Sequence, residues 1–166
     1  GCYRTTNGGT TWQQVLNGGN ILDLWFINDT LGFCGGEGGS MARTTDAGAT
    51  WTWIDTPSNS DINSIFFLND TLGWFAGNGG ARTTDGGDTW TLMPEVPQFT
   101  MSVFFADPDT GYAVQYSGYV LRTTNGGDSW DEVVPAPFDV GMNDALLVDG
   151  VLLAVGDHGD VFRAAL

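Results

Sequence analysis

Nine residues, RTTDGGDTW, run from Arg82 to Trp90 and hold two carboxylates, paired glycines, three hydroxyls and an indole. Asp85 and Asp88 are hard oxygen donors of the kind calcium takes, but a calcium site wants roughly six to eight oxygens. The chain repeats the segment as RTTNGGTTW from Arg4, RTTDAGATW from Arg43 and RTTNGGDSW from Arg122. The place of Asp88 is taken by Thr10, Ala49 and Asp128, and that of Asp85 by Asn7, Asp46 and Asn125, so no ligand set recurs. What recurs is Asp or Asn before Gly or Ala-Gly, which supplies the positive φ of a tight hairpin and a side chain that accepts backbone N–H groups. The expected role of Asn7, Asp46, Asp85 and Asn125, with Trp12, Trp51, Trp90 and Trp130 folded over them, is therefore structural.

Other reactive residue types are sparse. The single histidine, His158, lies in Gly156-Asp157-His158-Gly159-Asp160, where a turn accounts for the residues better than a metal site does. A cysteine–histidine pair would need Cys2 or Cys34 beside His158, and both cysteines fall on expected strands, where packing is the default. The two cysteines form no metal pattern, and either a disulfide between them or two thiols fits the spacing. No cofactor motif is present and none is expected.

The chain of 166 residues carries 20 acidic and 5 basic residues, a formal charge of −15. Such a charge opposes nucleic acid and anionic membrane surfaces. No run approaches the roughly 18 apolar residues of a membrane span, so membrane insertion is not expected. The chain opens at Gly1 rather than Met, so a processed form or a fragment is expected. The acidity suits an extracellular, cell-surface or virion-surface setting.

The elements that carry these segments follow from a period. The arginines at 4, 43, 82 and 122 are spaced by 39, 39 and 40, and a weaker copy follows at Arg163. Between them lie apolar runs of four to seven residues, such as Ile21–Ile27, Ile62–Leu68 and Gly73–Ala76, bounded by Gly, Asn or Asp. That is strand patterning with no sustained helical period. Four strands per repeat of about 40 residues describe the blades of a β-propeller. The expected fold is all-β, with about four blades of four antiparallel strands: a part at 1–16, blades at 17–55, 56–94 and 95–134, and a part at 135–166. Counting 2, 4, 4, 4 and 3 strands gives 17 against 4 × 4 = 16 for a closed ring. The expectation is thus part of a longer propeller, or copies joined end to end.

Thr83-Thr84-Asp85-Gly86-Gly87-Asp88-Thr89-Trp90 resembles the Asp-box, or bacterial neuraminidase repeat. With the arginine before it, the segment is similar to repeats of photosystem II stability/assembly factor-like propellers. The resemblance covers nearly the whole chain and implies a propeller in which the box is a structural hairpin away from the binding face. It also brings in sialidase-like glycoside hydrolases, which need an arginine triad, a Tyr–Glu nucleophile pair and an acidic acid/base. Every arginine here holds the same repeat position, so a triad is not expected and the chain reads as a non-enzyme, with a sialidase-like hydrolase or a remnant of one as the alternative.

A binding module remains. In a propeller the turns from strand two to three and from strand four to the next strand one share a face, and these segments vary most between repeats. Phe99, Tyr116, Phe138 and His158 are the expected anchors, with Glu37 and Asn78 beside them, since exposed aromatics anchor interfaces and sugars. The competing reading is that Phe99 and Phe138 plug the seam between blades. The expected partner is a protein or a carbohydrate.

Overall fold

The computed structural model describes residues 1–93, 95–134 and 141–165. Among these residues, seventeen strands form five antiparallel sheets in chain order. A pair, β1 (Cys2–Arg4) and β2 (Gln13–Leu16), comes first. Three sheets of four strands follow: β3 (Ile21–Phe26), β4 (Gly32–Gly36), β5 (Met41–Thr44) and β6 (Thr52–Ile54); β7 (Ile62–Phe67), β8 (Gly73–Gly77), β9 (Gly80–Thr83) and β10 (Thr91–Leu92); β11 (Thr100–Phe105), β12 (Gly111–Gln115), β13 (Val120–Thr123) and β14 (Asp131–Val134). A sheet of three, β15 (Met142–Val148), β16 (Val151–Gly156) and β17 (Val161–Ala165), comes last. The architecture is that of β-propeller blades.

Each of the last four sheets meanders outward from an innermost strand, and β3, β7, β11 and β15 pack in succession. They border a funnel of about 600 Å³. Apolar residues on both faces of β7 and β11 fill the seams between sheets. Phe33 stacks on Phe67 across one seam, and Trp74 lies parallel to Phe105 across the next. In the outermost blades the first strand is not buried on both faces: β3 alternates and β15 exposes Asn143, Asp144, Leu146 and Val148, and among the described residues no sheet covers their outer flanks. Cys2 and Cys34 are free thiols, and burial, with Cys2 adding to it, pushes the Cys34 thiol up to about 12.

An innermost strand is a sheet edge whose funnel-facing amides have no ladder partner. A β-bulge falls at the same place in all four, after Ile21, Ile62, Thr100 and Met142. The residue after it is small and polar: Asp23, Ser64, Ser102 and Asp144. Each of the first three reaches the next blade. Asp23 Oδ2 accepts from Ile65 N at 2.6 Å, Ser64 Oγ accepts from Val103 N at 3.1 Å, and Ser102 Oγ lies 3.0 Å from Asp144 Oδ1 and from Ala145 O. Burial holds the Asp23 carboxyl above the usual carboxylate range, although the Ile65 and Leu24 amides pull the other way.

The four boxes form the hairpins between third and fourth strands, as expected. In the second, Thr44 Oγ1 accepts from Gly48 N at 2.9 Å, while Asp46 accepts from Thr50 N at 2.8 Å and Thr50 Oγ1 at 2.7 Å. Asp85 makes the same bonds to Thr89, and Asn7 and Asn125 repeat the backbone bond with amide oxygens. Two further grips hold a box in place. Its fifth residue donates N–H to the first turn of its own sheet: Ala47 to Thr30 O, Gly86 to Thr71 O and Gly126 to Asp109 O. The arginine of the preceding sheet then reaches it: Arg4 to Ala47 O, Arg43 to Asp88, and Arg82 to Gly126 O and Asp128.

Two outcomes follow. Trp74→Ala removes a fully buried indole that stacks on Phe105 and donates to Gly126 O; it should cost about 3–5 kcal/mol in urea unfolding. The hydrogen bonds from Thr50 and Thr89 lower Asp46 and Asp85 to about 2 from 3.8. Stability from these carboxylates is thus full above the unfolded value and is lost as pH falls from there toward 2. Melting temperatures recorded down this window should fall less steeply in the Asp46→Asn, Asp85→Asn double variant, whose boxes then match those of Asn7 and Asn125.

Candidate functional site

At the end of the sheets opposite the boxes, the turns from strand two to three meet the loops that enter each strand one. One backbone bond recurs there. Glu37 N donates to Asn20 O at 3.0 Å, Asn78 N to Asp61 O at 3.3 Å, Tyr116 N to Phe99 O at 2.9 Å and Asp157 N to Gly141 O at 2.8 Å. The loops come so close that a Cβ on Gly36 or Gly77 would run into the Asn20 or Asp61 carbonyl, which explains glycine at both places. The residue in the same column as Glu37, Asn78 and Tyr116 is Asp157; His158 is one place further on.

Phe99 stands out of this belt. It is 61% exposed and adopts φ 57°, a left-handed conformation that few residues other than glycine take up. Asn78 Oδ1 accepts from its amide at 3.3 Å, and Gln115 Nε2 donates to Gln98 O at 2.6 Å, so both sides of the loop are tied down. It does not plug the seam. Met93 and Val96, both buried, fill that space against Trp74 and Phe105.

Tyr116 is 48% exposed, and its hydroxyl donates to Asp157 Oδ2 at 2.9 Å. Asn143 Nδ2 donates to the other oxygen at 3.0 Å. The Asn143 and Tyr116 bonds hold the Asp157 carboxyl below its usual range, and the carboxylate raises the Tyr116 phenol. His158 is exposed at φ 63° on a short 3-10 turn over Asp157–Gly159. Glu37 accepts from Asn20 Nδ2 at 2.7 Å and sits one blade away, joined to the rest by the bond from Gly38 N to Asp61 Oδ1.

Asn78, Phe99, Tyr116 and His158 thus share one rim, and Glu37 lies at its end. Phe138 lies outside the described residues. Sequence reading weighed Asp157 only as part of a turn or a metal site and passed over Asn143 and Asp61, although Asp157 and Asp61 stand in repeat columns that could have been aligned. Among the described residues, no three His, Cys, Asp or Glu side chains stand close enough together to hold a metal ion.

Bulged inner strands, box hairpins at one end and a belt of variable loops at the other define an Asp-box β-propeller of the bacterial neuraminidase repeat type. The chain belongs to the family described as photosynthesis system II assembly factor YCF48, whose model matches residues 5–164. Among solved structures it is similar to YCF48 bound to D1 peptide, with 23% identity and a TM-score of 0.73 over 88% of this chain and 50% of that one. YCF48 from Cyanidioschyzon merolae gives 21% identity and a TM-score of 0.73, covering 92% and 56%. A GH74 enzyme of Niastella koreensis gives 18% and 0.75, covering 98% and 32%. At these identities the likeness is one of fold. The chain spans about half the length of the YCF48 chains it matches. No curated protein matches it in sequence.

The Tyr116–Asp157 bond can be read in solution. In a pH titration followed by NMR, the Tyr116 ring of the parent should ionise above the ordinary phenol value, and Asp157→Asn should bring the midpoint down. An unchanged midpoint would mean that the two side chains do not meet.

Proposed function

We propose that this chain is a non-catalytic protein-binding propeller that holds an extended segment of a partner protein on the rim formed by Asn78, Phe99, Tyr116 and His158. The observation that carries this reading is Phe99, a large apolar ring held in the open by a hydrogen-bonded loop next to a second exposed ring. A preorganised aromatic pair loses little freedom on binding, which is what an interface anchor needs. Family membership agrees with it, and a YCF48 structure contains a D1 peptide. The charge of −15 favours a partner segment that is neutral or basic. Arg4, Arg43 and Arg82 are already engaged with boxes of the next blade, which leaves an arginine triad without its members.

A labelled D1 peptide titrated into the chain and followed by fluorescence anisotropy tests the proposal. Phe99→Ala and Tyr116→Ala should each weaken binding by about tenfold or more with the circular dichroism spectrum unchanged. Asn28→Ala and Asn69→Ala, at the box end, should leave the affinity as it is. Weakening by the second pair alone would move the site to the opposite face. Turnover of a fluorogenic sialoside would overturn the non-catalytic reading.

A further inference from the structure

On the rim, the seam between the sheet of β11–β14 and that of β15–β17 is built differently from the seams before it. The backbone bond that holds each loop ends on the carbonyl of Asn20, Asp61, Phe99 or Gly141, so three of these places carry a side chain and the fourth carries none. A Cβ on Gly141 would run into Cε2 and Cζ of Tyr116 and into Oδ2 of Asp157. Glycine there lets the Tyr116 ring lie against the main chain with the Asp157 carboxylate beside it, while 48% of the tyrosine stays open to solvent. The ring is also fixed in place. Tyr116 N donates to Phe99 O and Met142 N donates to Tyr116 O, both at 2.9 Å, and the hydroxyl is held by Asp157.

Asp157 differs from its counterparts as well. At the earlier seams the polar side chains are spent on main-chain amides, Asp61 Oδ1 on Gly38 N and Asn78 Oδ1 on Phe99 N. Asp157 instead takes one side-chain donor on each oxygen, Asn143 on Oδ1 and Tyr116 on Oδ2. An ionised carboxylate accepts at about four places, so an acceptor site stays open on each oxygen. No cation of this chain pairs with it. All five basic residues are arginines on third strands, and the ion pairs found among the described residues, Arg43 with Asp88 and Arg82 with Asp128, lie at the box end. His158, next in sequence, acts on Asp157 only through space.

We infer that this seam is a seat for an arginine side chain of the partner segment, with the guanidinium against the Tyr116 ring and hydrogen-bonded to both oxygens of Asp157. The inference rests on the reading of this rim as a protein-binding face and names the residue type that the face selects. A cation beside a tyrosine ring is attracted by the π face, and the carboxylate supplies the counter-charge. Arginine suits the seat better than lysine. Its guanidinium is planar, stacks on aromatic rings and presents parallel N–H groups to two carboxylate oxygens, whereas an ammonium is a compact point charge. Phe99, whose carbonyl holds Tyr116, stands next to the seat and offers its ring to an apolar neighbour of that arginine. The net charge of −15 draws such a segment in from a distance.

Fluorescence anisotropy with labelled short peptides of leucine and serine tests this. One peptide carries a central arginine, and its twin carries citrulline, which replaces the guanidinium by a neutral urea of the same shape. The chain should hold the arginine peptide at least about fivefold tighter than the citrulline peptide. Asp157→Asn should bring the two to equal affinity with the circular dichroism spectrum unchanged. Asp29→Asn, which removes the same charge from an exposed turn at the box end, should leave the preference intact. A lysine peptide should bind more weakly than the arginine one. Equal affinity for the arginine and citrulline peptides would overturn the seat, as would no binding of the arginine peptide. So would a preference that survives Asp157→Asn, one that is lost as fully in Asp29→Asn, or a lysine peptide that binds as well as arginine. None of these touches the wider reading of the rim, which fails separately if Phe99→Ala leaves the affinity for the D1 peptide unchanged.

Discussion

Every innermost strand of this fold is an edge, and its funnel-facing amides must be bonded by something outside the ladder. On β7 and β11 the preceding blade does this, while on β3 and β15 the Leu24 and Ala145 amides are taken by Asp23 and Asp144 of the same strand. Asp23 and Ser64 each place one oxygen on the amide of the strand 42 or 39 residues ahead, and Ser102 lies against the Ala145 carbonyl 43 ahead. The bulge re-aims the side chain, and the small polar type keeps the reach short. An apolar residue at this position would leave a buried N–H unpaired, a cost of roughly 1–3 kcal/mol. The inner ring is therefore a set of directed links, each blade gripping the one after it.

The outer rim repeats the direction. Arginine on the third strand reaches forward to the next box, and aromatic rings fill the space between these two lines of polar contacts. Because each blade contacts its neighbours and little else, stability is close to a sum of blade terms and interface terms. An array of this sort has two unlike ends, one that offers grips and one that receives them.

Much of this was legible in the residues, for a physical reason. Turn chemistry is local, so Asp85-Gly86 and Asn125-Gly126 declare a hairpin without reference to anything distant, and a period of 39 to 40 then sets the number of blades. The clasp residues were not read, because Asp23 in an apolar strand has no meaning until the amide it serves, some forty residues away, is known. The same holds at the rim. That Phe99 stays out of the seam depends on Met93 and Val96 filling it, and the Tyr116–Asp157 bond spans 41 residues. Alignment of the repeats names the column, and only packing shows which of its members are spent inside.

The division of labour between the two ends of the sheets follows from these links. Box residues are engaged in turn, staple and arginine contacts, so a substitution there disturbs two blades at once and leaves little freedom for recognition. At the other end one backbone bond per blade, from Glu37, Asn78, Tyr116 and Asp157, holds each loop in place and asks nothing of the side chain. That column can therefore hold a glutamate, an amide, a phenol and a carboxylate in four successive blades with the backbone bond kept. A face whose geometry is set by main-chain atoms is free to vary its side chains, and this is the physical basis for proposing the loops, rather than the repeated motif, as the binding rim.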